Sequence, residues 1–403
     1  MPTGTRRRGG SARSATRTDS GCGFEHDGRS YRRLFEGPLD LALPDFSLPA
    51  FNDSGTANVR GQARFYECAL AHYGEARFAE VIGGSNRRSL EALINGVEPL
   101  PEPPAEARGS RNFESAGYAV LQHGTGENAV WLCLKYGPHG GGHGHPDKLN
   151  FVSYAKGKIL GYDPGTAAYG VPIQKEWYRT TLAHNTLTVD QQSQKPAEGR
   201  CLAFGTRDDV SAVFAEAGEI YDKVTYRRAV ALCGQNLVVV LDLVDAAAEH
   251  IFDVAYHNAG DWTRPPTGEP LTMPDLDGYK HLKDMTQVGG ALPPIAVDGK
   301  LQVGVALASL SPAEAWAGTG VGANTTDRVP CVVTRVRGNK ALVAWAMAAE
   351  GGVPTVKVAE SGSGGSAEVV LGGRTYRLLA HPNADPKVVA ECEEGRVAAS
   401  SPH

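Results

Sequence analysis

The chain has 403 residues, which is enough for two or more domains or for one large β domain with appendages. Its formal net charge of -5 provides no basic field for nucleic acid, although a local cluster of Arg and Lys could still bind a polyanion. No apolar run approaches the roughly 20 residues that a membrane-spanning helix requires.

The cysteines and the N-terminal segment give little indication of function. The 7 cysteines are scattered and odd in number, so buried free thiols are expected rather than a disulfide framework. Residues 1–23 are rich in Arg, Ser, Gly and Thr and have no apolar segment typical of a secretory signal. A transit peptide and a misassigned start codon remain as alternative interpretations. We expect residues 1–23 to be disordered.

Helical periodicity dominates from Tyr31 to about Gly96. Apolar residues recur at three- and four-residue steps in RRLFEGPLDLAL and in ANVRGQARFYECALAHYGEARFAEVI. Prolines and the stretch FNDSG interrupt the pattern between these two segments. We therefore predict a helical domain over residues 24–99 and a Pro-rich, extended linker over residues 100–111.

The pattern changes to β after Asn112. Short apolar stretches such as AVWLCLKYG, SAVFAEAG and NLVVVLDLVDA are separated by Gly, Asn and Asp. They predict stacked antiparallel sheets over residues 112–390, followed by a tail over residues 391–403. The predicted fold class is α+β, with a short helical part before a large antiparallel β-sandwich.

The segment from Tyr136 to Asp190 is rich in residues that can carry chemistry. It holds 4 of the 12 histidines, namely His139, His143, His145 and His184, and the first three stand among glycines. Glycine lets the backbone approach a ligand closely, and histidine binds metals and transfers protons near neutral pH. The segment therefore predicts a catalytic cleft supported by a metal ion.

Three motifs in this segment resemble the heparinase II/III-like polysaccharide lyases, which include alginate and heparin or heparan lyases. They are HGHPDKLNF, DPGTAAYG and WYRTTLAHNTLTVD, and the resemblance covers about residues 110–260. It implies an α/α toroid followed by a β-sandwich, and elimination across C4 and C5 of a uronic acid. It does not specify the sugar, and we slightly prefer an alginate-type substrate to a glycosaminoglycan.

The resemblance also implies that part of the family's toroid has no counterpart in this chain. Residues 24–99 would be a remnant of that toroid. The family's principal base and acid, a histidine and a tyrosine of the toroid, lie far upstream of the HGH motif. We therefore expect weak or no activity from the chain alone, and strong activity would assign the proton transfers to Tyr178, Tyr169 or His143.

The predicted metal ligands are His145, Asp163 and His184. They are spaced by 18 and 21 residues, so strands and loops rather than one helix would have to assemble the site. Two imidazoles and one carboxylate suit Zn²⁺, but the spacing alone leaves ordinary hydrogen-bonded histidines as an alternative. The resemblance assigns zinc, in a structural role, to these three residues. Asp147 is a competing ligand that we expect instead to orient an imidazole N–H.

The resemblance implies a catalytic role for His143, the first histidine of HGH, which faces the substrate in the family. Tyr178 and Tyr169 are further candidates for proton transfer, because tyrosine and histidine can both serve as acid or base when their pKa values are tuned. Each tyrosine could equally be a platform for a sugar ring or an aromatic residue of the core.

Five residues are candidates for substrate binding. Arg179 could pair with a carboxylate, because its guanidinium matches two oxygens, or form an ordinary surface ion pair. Asn185 could contact sugar or cap a turn. His139 and Lys148 lie in the Gly/His-rich loop and carry weaker arguments. His257, in AYHNAG, resembles a further family segment near the cleft.

The predicted function is thus a polysaccharide lyase that acts on an acidic, uronate-containing polysaccharide or oligosaccharide. A non-catalytic carbohydrate-binding β-sandwich and a zinc-dependent hydrolase are the alternatives. The resemblance implies a periplasmic or secreted location, for which the chain shows no signal peptide. No nucleic acid partner is expected, and a homodimer remains open.

Overall fold

The computed structural model divides the chain into two compact units. One unit contains Met1–Leu41 and Asn58–Ala105, and the other contains Ala42–Ala57 and Glu106–His403. The segment 1–23, which was predicted to be disordered, lies outside the described residues. The residues that the structure describes are 25–26, 29–104, 108–393 and 395–401.

The smaller unit is helical, in line with the periodicity of its sequence. Its aromatic core places the ring of Tyr66 edge-on to Phe35 and Phe78, with centroid distances of 5.4 and 5.5 Å. Its elements are the strand pair β1 (Glu25–His26) and β2 (Arg29–Ser30), and the helices α1 (Arg33–Leu41), α2 (Ala63–Tyr73), α3 (Ala79–Ile82) and α4 (Leu90–Asn95). No helix in the described part of the chain is long and apolar enough to cross a membrane.

The larger unit consists of three antiparallel sheets. The first sheet has the order β3-β4-β5-β6-β7, with β3 (Arg111–Phe113), β4 (Tyr118–His123), β5 (Val130–Lys135), β6 (Phe151–Ala155) and β7 (Lys158–Ile159). The third sheet has the order β20-β21-β22-β23-β24, with β20 (Thr355–Ser361), β21 (Gly364–Leu371), β22 (Arg374–Ala380), β23 (Val388–Cys392) and β24 (Gly395–Ala399).

The second sheet has 12 strands and lies between the other two. It contains β8 (Leu187–Val189), β9 (Arg200–Arg207), β10 (Val210–Glu216), β11 (Val224–Cys233), β12 (Leu237–His257), β13 (Asp261–Trp262), β14 (Glu269–Pro270), β15 (Lys283–Gln287), β16 (Ile295–Ala296), β17 (Gln302–Ser309), β18 (Ala313–Val321) and β19 (Arg328–Ala349). The long strands β12 and β19 pair antiparallel along most of their length. They form the centre of the unit.

The central sheet is buried on both faces, which explains its continuous apolar runs. On β12, Val238 and Val240 pack in the core shared with the first sheet, whereas Val239 and Leu241 pack in the core shared with the third. Successive side chains of a strand point to opposite faces, so a strand covered on both sides must be apolar at every position. The predicted fold class, a helical part followed by stacked antiparallel sheets, is confirmed.

Two segments differ from the predicted organisation. Residues 391–403, which we predicted to be a tail, contain β24, whose Val397 and Ala399 are buried against the third sheet. The alternation is short and is preceded by charged turn residues, so its periodicity was not visible. The segment Ala42–Ala57 belongs to the β unit, although it lies between predicted helices. This segment contributes a residue at the centre of the site described next.

Candidate active site

Three loops of the larger unit bring the predicted metal ligands together. His145 lies between the helical turn Gly141–His143 and β6, Asp163 follows β7, and His184 follows the turn Thr181–Ala183. All three side chains are buried. The rings of His145 and His184 have a centroid distance of 5.4 Å, and His184 Nδ1 lies 3.3 Å from Asp163 Oδ2. The sequence motifs therefore converge in space.

The cluster contains ring nitrogens without hydrogen-bond partners among the described residues. They are Nδ1 of His145 and Nε2 of His184, and both atoms are buried. Nδ1 of His184 is also buried, and its contact is the 3.3 Å ion-pair distance to Asp163 Oδ2. A buried polar atom without a partner typically costs about 1–3 kcal/mol, so such atoms are rare unless a ligand satisfies them. Two imidazoles beside the carboxylate of Asp163 form a donor set that suits Zn²⁺. The residues present thus fit the predicted metal.

Asp147 lies in the same cluster but has a different partner. One ligand atom from each of Asp147, Asp163 and His184 lies within 4.8 Å of the others, and among the described residues His145 is not a member of this group. Both oxygens of Asp147, however, are 2.7 Å from the buried Nζ of Lys135. Burial, the largest effect, would raise the pKa of Asp147, but Lys135, His184 and Lys148 together hold this pKa below its usual value. The ion pair makes Asp147 a less available ligand than His145.

Asp53, a residue that sequence analysis did not single out, joins the predicted residues to one another. Its Oδ1 lies 3.0 Å from His145 Nε2, and its Oδ2 lies 3.1 Å from His143 Nδ1, 2.9 Å from the Tyr169 hydroxyl and 3.1 Å from Arg179 Nη1. Burial alone would raise the pKa of Asp53. Hydrogen bonds, the strongest from His145, and the charge of Arg179 lower that pKa to about 2.

The sequence carried no clear signal for Asp53. It stands in FNDSG, which interrupts a helical pattern, and Asn-Asp pairs are typical of ordinary turns. Its partner His143 lies 90 positions further along the chain. Asn52 before it has a φ of 63°, a left-handed conformation that asparagine tolerates, and its Oδ1 accepts a hydrogen bond of 3.2 Å from the His145 backbone N–H.

The two candidates for proton transfer that reach the surface are His143 and Tyr169. The side chain of His143 is 77% exposed, and Tyr169 is 67% exposed. His143 Nδ1 and the Tyr169 hydroxyl are 3.2 Å apart, and both contact Asp53. They therefore form one accessible polar group above the buried cluster.

Tyr178 occupies a different environment. Its side chain is fully buried in a hydrophobic cluster with Trp177, and its hydroxyl donates a hydrogen bond of 2.8 Å to the Gly322 carbonyl. Burial raises its pKa to about 12. These contacts are those of a core tyrosine, which was the alternative interpretation of this residue.

Two of the predicted substrate-binding residues hold the loops of the site. Arg179 donates from Nη1 to the Gly142 carbonyl at 3.1 Å and from Nη2 to the Gly144 carbonyl at 2.8 Å, so it braces the Gly/His-rich loop. Asn185 is fully buried, and its Oδ1 accepts a hydrogen bond of 2.7 Å from the His257 backbone N–H. The structure thus gives both residues positioning contacts.

The other three predicted substrate-binding residues differ in accessibility. His139 is partly exposed, and burial followed by the charge of Lys148 lowers its pKa. Lys148 is buried, which lowers its pKa to about 8, and its Nζ lies 3.4 Å from the Pro138 carbonyl. His257 is buried with both ring nitrogens unpartnered among the described residues, and burial lowers its pKa to about 3.

Comparison with known proteins supports the resemblance seen in the motifs. Residues 105–318 match the family model described as heparinase II/III-like, C-terminal. The match covers more than half of the chain. The chain belongs to the heparinase II/III-like family. The predicted resemblance is confirmed, and it now rests on the whole region around the site rather than on three motifs.

Curated relatives of the chain are lyases. The chain is 23% identical over 207 residues to a heparin-sulfate lyase of Bacteroides stercoris, and the alignment covers 50% of this chain and 29% of that protein. It is 30% identical over 220 residues to an alginate lyase of Stenotrophomonas maltophilia, covering 47% of this chain and 29% of that protein. The matched region thus spans less than a third of the length of these relatives.

Solved structures of the family share the fold. A crystal structure of heparinase III matches with a TM-score of 0.67 and 19% identity, covering 86% of this chain and 54% of that one. The heparan sulfate lyase HepC from Pedobacter heparinus matches with a TM-score of 0.65 and 16% identity, covering 87% and 52%. At these identities the matches establish the architecture.

Proposed function

We propose that this protein is a polysaccharide lyase that cleaves uronic-acid-containing polysaccharides or oligosaccharides by β-elimination. The observation that carries the proposal is the accessible group of His143, Tyr169 and Asp53 above a buried His/Asp cluster, in a chain of this family. Family relatives named as heparin-sulfate lyase and alginate lyase support the reaction class.

The proposed reaction requires one proton acceptor and one proton donor. The base takes the proton from C5, the electron pair of the C5–H bond forms the C4=C5 double bond, and the C4–O bond breaks. The departing glycosidic oxygen receives a proton from the acid. A positioned acid or base typically contributes 10²–10⁴-fold to the rate. No water is consumed, so no hydrolytic nucleophile is needed.

We assign the base to His143 and the acid to Tyr169. Both are exposed and lie within hydrogen-bonding distance of each other, so a sugar can contact the two groups together. The hydrogen bond that Tyr169 donates to Asp53 raises the pKa of the phenol above its usual value. Tyr169 therefore stays protonated near neutral pH, which suits a proton donor. Tyr178 lacks this accessibility because it is buried.

We also propose that His145, Asp163 and His184 hold one Zn²⁺. The support is the two buried ring nitrogens His145 Nδ1 and His184 Nε2, which have no hydrogen-bond partner in the described part of the chain, and the proximity of the Asp163 carboxylate to His184 Nδ1. Bound zinc would supply a fixed positive charge that ties together three loops. The chain's own residues, His143 and Tyr169, carry the proton transfers in this proposal, and the metal shapes the cleft beneath them.

Alginate-type oligosaccharides are the first substrates to test. The identity to the alginate lyase is 30%, against 23% for the heparin-sulfate lyase, which agrees with the slight preference drawn from the motifs. Heparan and hyaluronan oligosaccharides provide the glycosaminoglycan comparison. Each of these substrates contains uronate, so each can form the same 4,5-unsaturated product.

The test is the ultraviolet absorbance of the unsaturated uronate, measured with concentrated protein over long incubation. Because we expect only weak turnover from this chain, His143→Ala, which removes the base, should lower chromophore formation to the level seen without protein, consistent with a loss of about 10²–10⁴-fold. His381→Ala, directly after β22 of the third sheet, is the matched control and should retain the wild-type rate. Circular dichroism establishes that both variants are folded.

Three outcomes would contradict the proposal. New reducing ends without absorbance would indicate a hydrolase. Retention of the oligosaccharide without any cleavage would indicate a carbohydrate-binding domain. Chromophore formation that His143→Ala leaves unchanged would support a lyase but would move the base to another residue.

A further inference from the structure

We infer that Asp53 is a positioning residue that fixes the two histidines of the HGH motif in opposite tautomers. His145 is held with its proton on Nε2 and an unprotonated Nδ1, and His143 with its proton on Nδ1 and an unprotonated Nε2. This inference rests on the proposed function, because it assigns Nδ1 of His145 to the metal and Nε2 of His143 to the substrate proton.

The argument begins with the carboxylate. An ionised carboxylate can only accept hydrogen bonds, so every nitrogen or hydroxyl in hydrogen-bonding contact with it must be the donor. Asp53 is 3% exposed at its side chain, and its two oxygens accept from different groups. Oδ1 faces His145, and Oδ2 faces His143 and the Tyr169 hydroxyl. One side chain therefore sets the proton position on both rings.

The first consequence concerns His145. Its Nε2 lies 3.0 Å from Asp53 Oδ1 and must carry the proton. With the proton on Nε2, the neutral ring presents Nδ1 with a free lone pair. That Nδ1 is buried and has no hydrogen-bond partner among the described residues. A carboxylate that orients a ligating histidine in this way also raises its basicity as a ligand.

The second consequence concerns His143, which uses the other ring nitrogen. Its Nδ1 lies 3.1 Å from Asp53 Oδ2 and 3.2 Å from the Tyr169 oxygen. The Tyr169 hydroxyl proton is already donated to Asp53 Oδ2 at 2.9 Å, so His143 Nδ1 is a donor towards either oxygen. In the neutral ring, Nε2 is then the nitrogen that can accept a proton.

Asp53 is itself held in place. Its backbone N–H donates to the His143 carbonyl at 3.2 Å, which ties the Ala42–Ala57 segment to the HGH loop. Thr166 Oγ1 contacts Asp53 Oδ1 at 3.3 Å, and Arg179 Nη1 contacts Oδ2 at 3.1 Å. Because these contacts come from three separate loops, the carboxylate has little freedom to release either histidine.

The direct test is the nitrogen NMR spectrum of the histidine rings in metal-free protein labelled with ¹⁵N-histidine, near pH 8.5. Substitutions His143→Ala and His145→Ala identify the two rings. We expect Nδ1–H for His143 and Nε2–H for His145 in the wild-type protein. A wild-type His143 with an unprotonated Nδ1, or a wild-type His145 with an unprotonated Nε2, would overturn the inference. This measurement requires no variant of Asp53 to fold.

The second test uses Asp53→Asn, which keeps the shape but allows the side chain to donate as well as accept. We expect zinc affinity, measured by competition with a chromophoric chelator, to fall by about 10–100-fold. Asp190→Asn is the matched control, because Asp190 also pairs with a histidine, His250, at 2.7 Å, but outside the cluster. It should bind zinc as the wild-type protein does.

The outcomes separate the inference from the metal proposal. If the wild-type protein binds no zinc, the proposed metal site is wrong. The proton positions on His143 and His145, measured by nitrogen NMR, then still test whether Asp53 positions the two rings. If the wild-type protein binds zinc and Asp53→Asn binds it equally well, the positioning role is wrong and the metal site stands. Loss of affinity in Asp53→Asn together with the expected tautomers supports both.

Discussion

Arg228 shows how a single buried side chain supports the site from within the central sheet. Its Nε lies 2.6 Å from Asp242 Oδ1 and its Nη2 lies 3.1 Å from Asp242 Oδ2, with both residues fully buried. Its Nη1 donates to the Leu149 carbonyl at 2.7 Å and also to the Asn185 carbonyl. Because Asn185 follows His184, this guanidinium connects β11 to two loops of the cluster.

We predict that Arg228→Met lowers the free energy of unfolding by about 3–5 kcal/mol, because it leaves the buried Asp242 carboxylate with the Tyr226 hydroxyl but without its cationic partner. Arg227→Met, at the preceding position of the same strand, is the matched control. Arg227 pairs with Glu216 at 2.8 Å but is 21% exposed, so its loss should cost about 0–1 kcal/mol. Urea denaturation measures both values. Equal losses would contradict the structural role of Arg228.

The turn after β7 shows how a glycine controls the approach of two segments. Gly165 has a φ of 67°, and a Cβ at this position would lie 2.4 Å from the Ser54 carbonyl oxygen. Its backbone N–H donates to Asp163 Oδ1 at 2.8 Å. The absence of a side chain thus lets the segment that contains Asp53 approach the loop of Asp163.

We predict that Gly165→Ala destabilises the protein by more than Gly157→Ala does. Gly157 also has a positive φ, 77°, but a Cβ there would meet no atom within 4 Å. The control therefore measures only the cost of a left-handed alanine, about 1–2 kcal/mol, whereas Gly165→Ala adds the contact with Ser54. Denaturation midpoints give the comparison. Equal destabilisation by the two substitutions would show that the short distance to the Ser54 carbonyl oxygen does not restrict the side chain at position 165.

At the scale of the whole molecule, the three sheets provide the frame on which the loops assemble. The central sheet is apolar on both faces. It therefore packs in two hydrophobic cores, one shared with the first sheet and one shared with the third. His145 lies in the loop between β5 and β6 of the first sheet, and Asp163 and His184 lie in the connection from β7 of the first sheet to β8 of the second. A ligand that binds these loops only in the folded state should stabilise the molecule by mass action.

We predict that the folded protein contains about one zinc ion and that a chelator lowers its melting temperature. Binding at 100 times the dissociation constant contributes about 2.7 kcal/mol, which is enough to shift the transition by several degrees. His184→Ala should lose the metal and become insensitive to the chelator, whereas His250→Ala should behave as the wild-type protein does. Unchanged metal content in His184→Ala would contradict the ligand assignment.

Several features of the protein could be predicted from the sequence because they depend on local patterns. The change from helical to two-residue periodicity predicted stacked antiparallel sheets after Asn112, since side chains alternate along any strand. The motifs around His145, Asp163 and His184 identified the family. They also pointed to three side chains that lie close together in the structure. Each of these predictions used residues that are close together in the chain or match a known motif.

Other features were decided only by the tertiary structure, because they depend on contacts between distant segments. Asp53 reaches Arg179 across 126 positions, and no periodicity or spacing encodes that contact. Local sequence also could not place Tyr178 in the core and Tyr169 at the surface, since neither AAYG nor WYRTT carries a periodicity that separates a buried from an exposed tyrosine. Their burial follows from which strands pack against their loops, and that packing is a property of the assembled sheets.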